Sequence, residues 1–445
     1  MIRAGIDIRA AETQVVLIGG QRILCGTTVE TSPDAISGAV AALQQLLTTE
    51  GISPSSVAAV MIGTSMFEET LSRRGGLTPV AAVRLCLPTT ASLPPMADWP
   101  ADLRAATGGH WYLTHGGQET NGRRISALSE QGLARIAADI RAKQVGAVAL
   151  SSVFAPPSGG DEAKAAEILS QHLPDTRIVQ SGTIGSPSLL AREGTAILNL
   201  SLREVTQRRL GQLALALASA GLVGPLFLVR GDGTLMDAAS AVRQPVQTFG
   251  SGAANAITGA GWLYGQTGAI VIELDQWRLT AGLLHDGLPR PGHGSARFGG
   301  LRLAAPHAEV IALPLTAPPD RQMLLDIAAS LSADTLPVVL VGKEAGRVTL
   351  PARLTRRGPK PAYYALARAI GAAVAPVSGR ADRIYPLGQF STESARADAR
   401  QRATQAAIAA GARADTVTLH HMTEQPLPDA MLRIRAVALG QPDAG

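Results

Sequence analysis

Two short apolar hairpins constrain this chain more than any other feature. Residues 4–18 run AGIDI and then QVVLI, and residues 269–284 run AIVIEL and then LTAGLL. Each opens a series in which Val/Ile runs bounded by glycine alternate with helical stretches, the pattern of a buried, partly parallel sheet covered by helices. A third early run, RILCG, makes the first series begin as an antiparallel meander. A helix over 33–50, VAAVMIG at 57–63, VGAVALSSV at 145–153, a helix over 161–172 and RIVQSG at 177–182 then give the order β-β-β-α-β-α-β. Residues 64–143, with TASLPPMADWP and GGHWYLTHGGQ, interrupt that order and read as an irregular insertion.

A helical stretch over 189–220 is long enough to cross into a second domain. There the segments are PLFLVRG, a helix near 252–265, the second hairpin, a proline-rich passage at 304–320, a helix near 321–332 and PVVLVG at 337–342. Helices near 362–376 and 391–411 and strands near 416–422 and 432–439 follow. The expectation is an α/β protein of two domains, 1–188 and 189–445, related by duplication of fold.

Composition narrows the class. With 445 residues, each of two or three domains can bury a core of its own, and 15 aromatic residues leave that core to Ala, Leu and Val. Cys25 and Cys86 lie in apolar runs and build neither a disulfide framework nor a four-thiolate zinc site, which suggests a reducing compartment. The net charge of +5 is carried by scattered arginines, a pattern that predicts no nucleic-acid footprint. Asp7 and Glu12 interrupt any signal-peptide core, so a cytoplasmic location is expected. The uncharged stretch Leu210 to Val229 is broken at Gly224-Pro225 and reads as a helix followed by a strand, not as a membrane span.

The usual catalytic signatures are missing. Lys343 does not sit in a Walker loop, and Ser251 lies in TFGSGAAN, which is no nucleophile elbow. No metal site is expected: His420 and His421 would point to opposite faces of a strand, and His110, His115 and Glu119 read as part of a glycine-rich loop. The glycine turns Gly63-Thr64-Ser65, Arg230-Gly231-Asp232-Gly233-Thr234 and Gly250-Ser251-Gly252 are either plain tight turns or backbone cradles for an anion at a helix N-terminus.

Taken together, AVMIGTSMFEETLSRRG, LPPMADWPADLRAATGGHWYL, AVALSSVFAPPSGGDEAKAAEIL, SLLAREGTAILN, LFLVRGDGTLM, FGSGAANAITGAGWLYG and PVVLVG make the chain resemble the hydantoinase A / oxoprolinase family of the actin-like ATPase class. The resemblance implies two RNase H-like domains with a cleft between them, ATP and Mg²⁺ as cofactors, and ATP-driven opening of a cyclic amide such as a hydantoin or 5-oxoproline. A hydantoinase B-type partner is also implied. The family grips ATP with an Asp-x-Gly-Gly-Thr turn in the first hairpin, a similar turn in the second and a glycine-rich loop after a late strand. Carried onto this sequence, the nucleotide positions are Asp7, Arg9 and Thr13, then Glu273 and Gln276, then Gly342; the substrate cleft takes Thr64, Asp232 and Asn255. No catalytic residue is assigned, and Asp7 and Glu273 are expected to face a common cleft.

The sequence departs from the family at the points of chemistry. Asp7 is kept, but Arg9-Ala10-Ala11 replace Gly-Gly-Thr in the first turn. Glu273 replaces Asp in the second, with Asp275-Gln276-Trp277 after it, a carboxylate and an indole expected to exclude triphosphate by charge and bulk. The third loop keeps only Gly342, the segment after the second hairpin is short, Arg368 stands where Asn is expected in ALARAIGAA, and the substrate loop has become Thr64-Ser65-Met66-Phe67-Glu68-Glu69. These losses speak against ATP and Mg²⁺ here. They predict a degenerate member acting as a binding or regulatory subunit of a cyclic-amide-hydrolysing complex. The alternatives are an active ATP-dependent hydrolase with unusual nucleotide contacts and an ATP-independent enzyme that reuses the cleft.

Overall fold

A computed structural model describes residues 1–119, 123–154, 160–186, 188–293, 296–332, 336–350 and 360–444. In chain order, the first part holds β1 (Ile2–Ile8), β2 (Glu12–Gly19), β3 (Arg22–Glu30), α1 (Ala35–Thr49), β4 (Val57–Thr64) and α2 (Met66–Arg73). Next come β5 (Ala81–Leu87), α3 (Ala101–Ala106), β6 (His110–His115), α4 (Glu130–Ala142), β7 (Ala147–Ser152), α5 (Gly160–His172) and β8 (Arg177–Gln180). The long α6 (Leu189–Ser219) leads to β9 (Leu226–Val229), β10 (Leu235–Asp237), α7 (Ala238–Arg243) and α8 (Ser251–Tyr264). The second hairpin is β11 (Ala269–Asp275) and β12 (Arg278–His285), followed by β13 (Leu288–Pro289), β14 (Ala296–Phe298), β15 (Leu301–Leu303), β16 (Val310–Pro314), α9 (Arg321–Leu331) and β17 (Val338–Val341). The last elements are α10 (Ala367–Val374), β18 (Val377–Pro386), α11 (Thr392–Ala409), β19 (Thr418–Leu427) and β20 (Met431–Gly440).

Both hairpins form as read. β1 pairs antiparallel with β2 and parallel with β4, and β11 pairs antiparallel with β12 and parallel with β17. The first strands are therefore buried on both faces and sit mid-sheet, as apolar runs without alternation require. The main sheet has nine strands in the order β19-β20-β18-β10-β9-β4-β1-β2-β3, and the second runs β13-β12-β11-β17 with β16 also pairing β12. Cores of Ile, Leu, Val and Ala fill the faces: α1, α6 and α11 share one core with the main sheet, α10 packs on Val16 and Ile18 of β2, and α8 and α9 pack on the second sheet.

Two expectations need correction. The stretch 64–143 is not irregular throughout: it contributes β5 and β6 to a separate four-stranded parallel sheet, β6-β5-β7-β8, with its own core against α4 and α5. Consequently β7 and β8, expected to continue the first sheet, belong elsewhere. The edge of β4 that they would have taken is occupied by β9, with Val60 opposite Leu226, so the chain returns to the first sheet after residue 189. Parallel pairing over long separations leaves no local sign in the sequence. The Leu210 to Val229 stretch becomes the end of α6 and then β9, and no described helix is long and apolar enough to cross a membrane.

Helix α10 wedges between the two hairpins, and glycine permits it. A Cβ on Gly5 would lie 2.1 Å from Ala369 O, one on Gly259 1.9 Å from Ala367 O, and one on Gly371 2.0 Å from Asn255 O. Backbone therefore touches backbone along α8, α10 and β1. Gly259→Ala is expected to destabilise the protein by about 1–3 kcal/mol, because backbone cannot yield as a side chain can. By contrast Gly211→Ala, on an exposed part of α6 with nothing near its Cβ position, should stabilise by about 0.5–1 kcal/mol. Urea unfolding of both variants checks the pair, and equal effects would contradict the packing described.

Candidate functional site

The C-terminal parts of β1 and β11 come together over α8 and α10, and Asp7 and Glu273, expected to face a common cleft, lie near enough for the charge of one to act on the other. Asp7 ends β1 fully buried, opposite Gln14 on β2 and Gly63 on β4. Gly63 is needed there: a Cβ would sit 2.4 Å from Asp7 Oδ1 and 2.2 Å from Asn255 Nδ2. Asn255, on α8, donates to Asp7 Oδ1 at 3.3 Å. Glu273 lies two residues before the end of β11 and is only 4% exposed.

Each carboxylate is neutralised from within the chain. The turn after β1 folds Arg9 back so that its Nε donates to Asp7 Oδ2 at 2.8 Å and its Nη2 to Oδ1 at 3.3 Å. The same guanidinium lies on Gly252 in the first turn of α8, where a Cβ would be within 1.4 Å of Nη2. From α10, Arg368 meets Glu273 at 2.5 Å, Asp275 at 3.5 Å and Glu12 at 3.8 Å. Glu68 of α2 accepts the Gly250 N–H at 2.7 Å and so caps the α8 N-terminus with a carboxylate.

The electrostatics follow from burial opposed by charge. Burial would raise the Asp7 pKa, but Arg9, then Arg368 and Asn255, hold it below its usual value. Burial dominates at Glu273 and raises it, with the Asp7 charge adding and Arg368 and Arg9 opposing. Glu68 is likewise raised by burial, against the pull of Arg9 and the Gly250 N–H.

Of the residues carried over from the family pattern, Asp7, Arg9, Glu273 and Asn255 meet in this cluster. Thr64 lies beside it, its carbonyl accepting from Ser251 Oγ and its hydroxyl from Met66 N. Thr13 points elsewhere and bonds Thr31 at 2.9 Å. Gln276 is exposed, and so is Trp277 at 66%, so the indole does not pack on the cluster; the bulk beside the two carboxylates comes from Arg9 and Arg368. Gly342, at φ 91°, begins a 3₁₀ turn and packs on Leu274 O. Asp232 does not join the cluster: it bonds Thr234 and Arg380. The roles of Glu12 and Asp275 as further partners of Arg368 were not legible, since nothing local ties residues 12 and 275 to 368.

As built, the residues do not fit magnesium triphosphate. The guanidinium on Gly252 covers the α8 turn whose N–H groups would face an anion, and both oxygens of Asp7 are engaged.

Comparison places these observations among known proteins. Residues 3–173 match the family described as Hydantoinase/oxoprolinase N-terminal region. No curated protein matches the chain. Among solved structures, an ATP-dependent caprolactamase from Pseudomonas jessenii aligns with TM-score 0.72 and 14% identity over 98% of this chain and 87% of its own. A nucleotide-free acetone carboxylase, from work on ATP-dependent acetone carboxylation, aligns with TM-score 0.67 and 13% identity over 100% of this chain and 88% of its own. At these identities the likeness is one of fold.

Removing Arg368 tests the ion cluster. Arg368→Met strands Glu273 in a buried site and is expected to destabilise by about 3–5 kcal/mol near pH 8. Because the Glu273 pKa is already raised and rises further without its partner, the folded state gains a proton more readily than the unfolded one. Stability lost at high pH should return as pH falls. Urea unfolding at pH 5 and pH 8 measures this, and a deficit independent of pH would contradict the assignment.

Proposed function

We propose, on the premise that the N-terminal part of this chain belongs to the hydantoinase/oxoprolinase family, that the protein is a degenerate member whose phosphate position is filled by its own arginines. It acts as a non-catalytic or altered subunit of a complex that hydrolyses cyclic amides. The observation that carries this reading is the Arg9 guanidinium, ion-paired to Asp7 and seated on Gly252 where backbone would approach phosphate. Arg368 closes the opposite side on Glu273. We read β3-β2-β1-β4-β9 and β13-β12-β11-β17 as two RNase H-like sheets of the actin-like ATPase class, with the ion cluster in the cleft between them. A hydantoinase B-type partner and a cytoplasmic location complete the proposal; two buried free cysteines accord with a reducing compartment.

A second reading is favoured by one feature. The Arg9 side chain is 21% exposed, and Asp7 and Asn255 are kept, so an ATP-dependent cyclic-amide hydrolase could use Arg9 and Arg368 as phosphate ligands after they leave the carboxylates.

Nucleotide assays separate the two. A ligand at 100 times its Kd stabilises the folded state by about 2.7 kcal/mol, a shift of a few degrees in Tm. The expected outcome is no Tm shift with millimolar Mg-ATP and no ATPase activity above background. Restoring Gly-Gly-Thr at residues 9–11 and 275–277 together should recover binding. Turnover of ATP by the unmodified chain would overturn the degenerate reading in favour of the second. Co-purification with a co-expressed hydantoinase B-type protein tests the partner, and a failure to associate would remove that part of the proposal.

A further inference from the structure

A cavity of about 730 Å³ lies away from the ion cluster, between the 180–186 turn with the start of α6 on one side and β18, α11 and β20 on the other. The β9–β10 turn, α7 and the 304–307 loop close it. Eight arginines contribute to its wall against two carboxylates, Glu162 and Asp382, among the described residues. Neither carboxylate is free. Glu162 accepts from Ser152 N, Ser181 Oγ and Gly182 N at 2.8–2.9 Å, and Asp382 takes both arms of Arg433 at 2.6 and 2.8 Å.

Three of the cations lack an acidic partner within 4.0 Å among the described residues. Arg243 donates to Ser240 Oγ, Arg435 has no ion pair, and Arg230 donates through Nη1 to Ser378 O at 2.6 Å and Ser378 Oγ at 2.7 Å. Arg230 is only 7% exposed, and its Nε is buried with no acceptor. A guanidinium so placed is costly unless something negative joins it. The cost shows in its pKa, which burial lowers to about 10. The wall is pinned next to Arg380: a Cβ on Gly379 would lie 2.0 Å from Ala407 N, so β18 and α11 are in backbone contact there.

We propose that this cavity binds a small metabolite bearing two or more oxyanion groups, carboxylate or phosphate, with Arg230 as the buried contact and Arg243 and Arg435 as its further cationic ligands. The volume is that of an ordinary small-molecule site, and planar guanidinium forks match both groups bidentately. The site is independent of the nucleotide question, since neither Arg9 nor Arg368 lines it.

Isothermal titration of the full chain with citrate and with pyrophosphate, at low and constant chloride, tests the proposal. At least one probe should bind and raise Tm by a few degrees, and the tighter of the two identifies carboxylate or phosphate as the preferred group. The Arg243→Gln/Arg435→Gln double variant should weaken binding about tenfold or more, or about 1.4 kcal/mol. Its Tm without ligand should stay level or rise, as like charges are removed. A control, Arg73→Gln/Arg413→Gln, takes two exposed arginines from elsewhere on the surface and should leave binding unchanged. Binding of neither probe, or equal loss in variant and control, would overturn the proposal. If the double variant is too unstable to assay, Arg435→Lys serves in its place, and unchanged affinity there and in Arg243→Gln would equally count against it.

Discussion

Two buried carboxylates at the ends of two first strands set the terms for everything around them. Asp7 lies close enough to Glu273 for its charge to raise the Glu273 pKa, in a region shielded from water. Neither can stay ionised there without a cation, and the cost of leaving one uncompensated is several kcal/mol. A protein can supply the cation as a bound metal or from its own side chains. This chain places Arg9 two residues beyond Asp7 and Arg368 on the helix that reaches Glu273, so the neutralising charges are built in.

Side chains as long as arginine reach these positions only because backbone is pinned nearby. Helix α10 rests on β1 and α8 through glycine contacts too close for any Cβ, which fixes where Arg368 starts. Gly252 likewise leaves the first turn of α8 bare, and Arg9 lies flat on it. The same bareness that would let phosphate approach N–H groups lets a guanidinium approach instead.

How much of this could be read beforehand depended on whether the information is local. The hairpins at 4–18 and 269–284, the long helix from 189 and the Gly224-Pro225 break are written in short apolar periods and breakers, and they appear where expected. The same local pattern puts Asp7 and Glu273 near the C-terminal ends of their strands. Sheet membership was not local. VGAVALSSV looked like a continuation of the first sheet, yet β4 took β9 as its neighbour from beyond residue 220, and the run paired with strands hidden in a Pro/Gly-rich stretch. The exposure of Trp277 was also out of reach, because a turn residue's direction depends on which hydrogen bonds its neighbours make.

Charge distribution was the other thing the linear chain concealed. A net charge of +5 spread over isolated arginines looks featureless, but folding sorts it. Around the ion cluster Asp7, Glu12, Glu273 and Asp275 outnumber Arg9 and Arg368, so an incoming anion there meets an excess of carboxylate. In the cavity beside β18 the balance is reversed: Arg230 follows β9, Arg243 ends α7 and Arg435 stands in the middle of β20, with no acid paired to any of them among the described residues. Arg9 folds back on Asp7, two residues before it, and spends its charge locally, whereas Arg230, at the same spacing from Asp232, leaves that carboxylate to Arg380. Arg230, Arg243 and Arg435 have no such partner among the described residues, and the charge they carry is left for whatever enters the space between them.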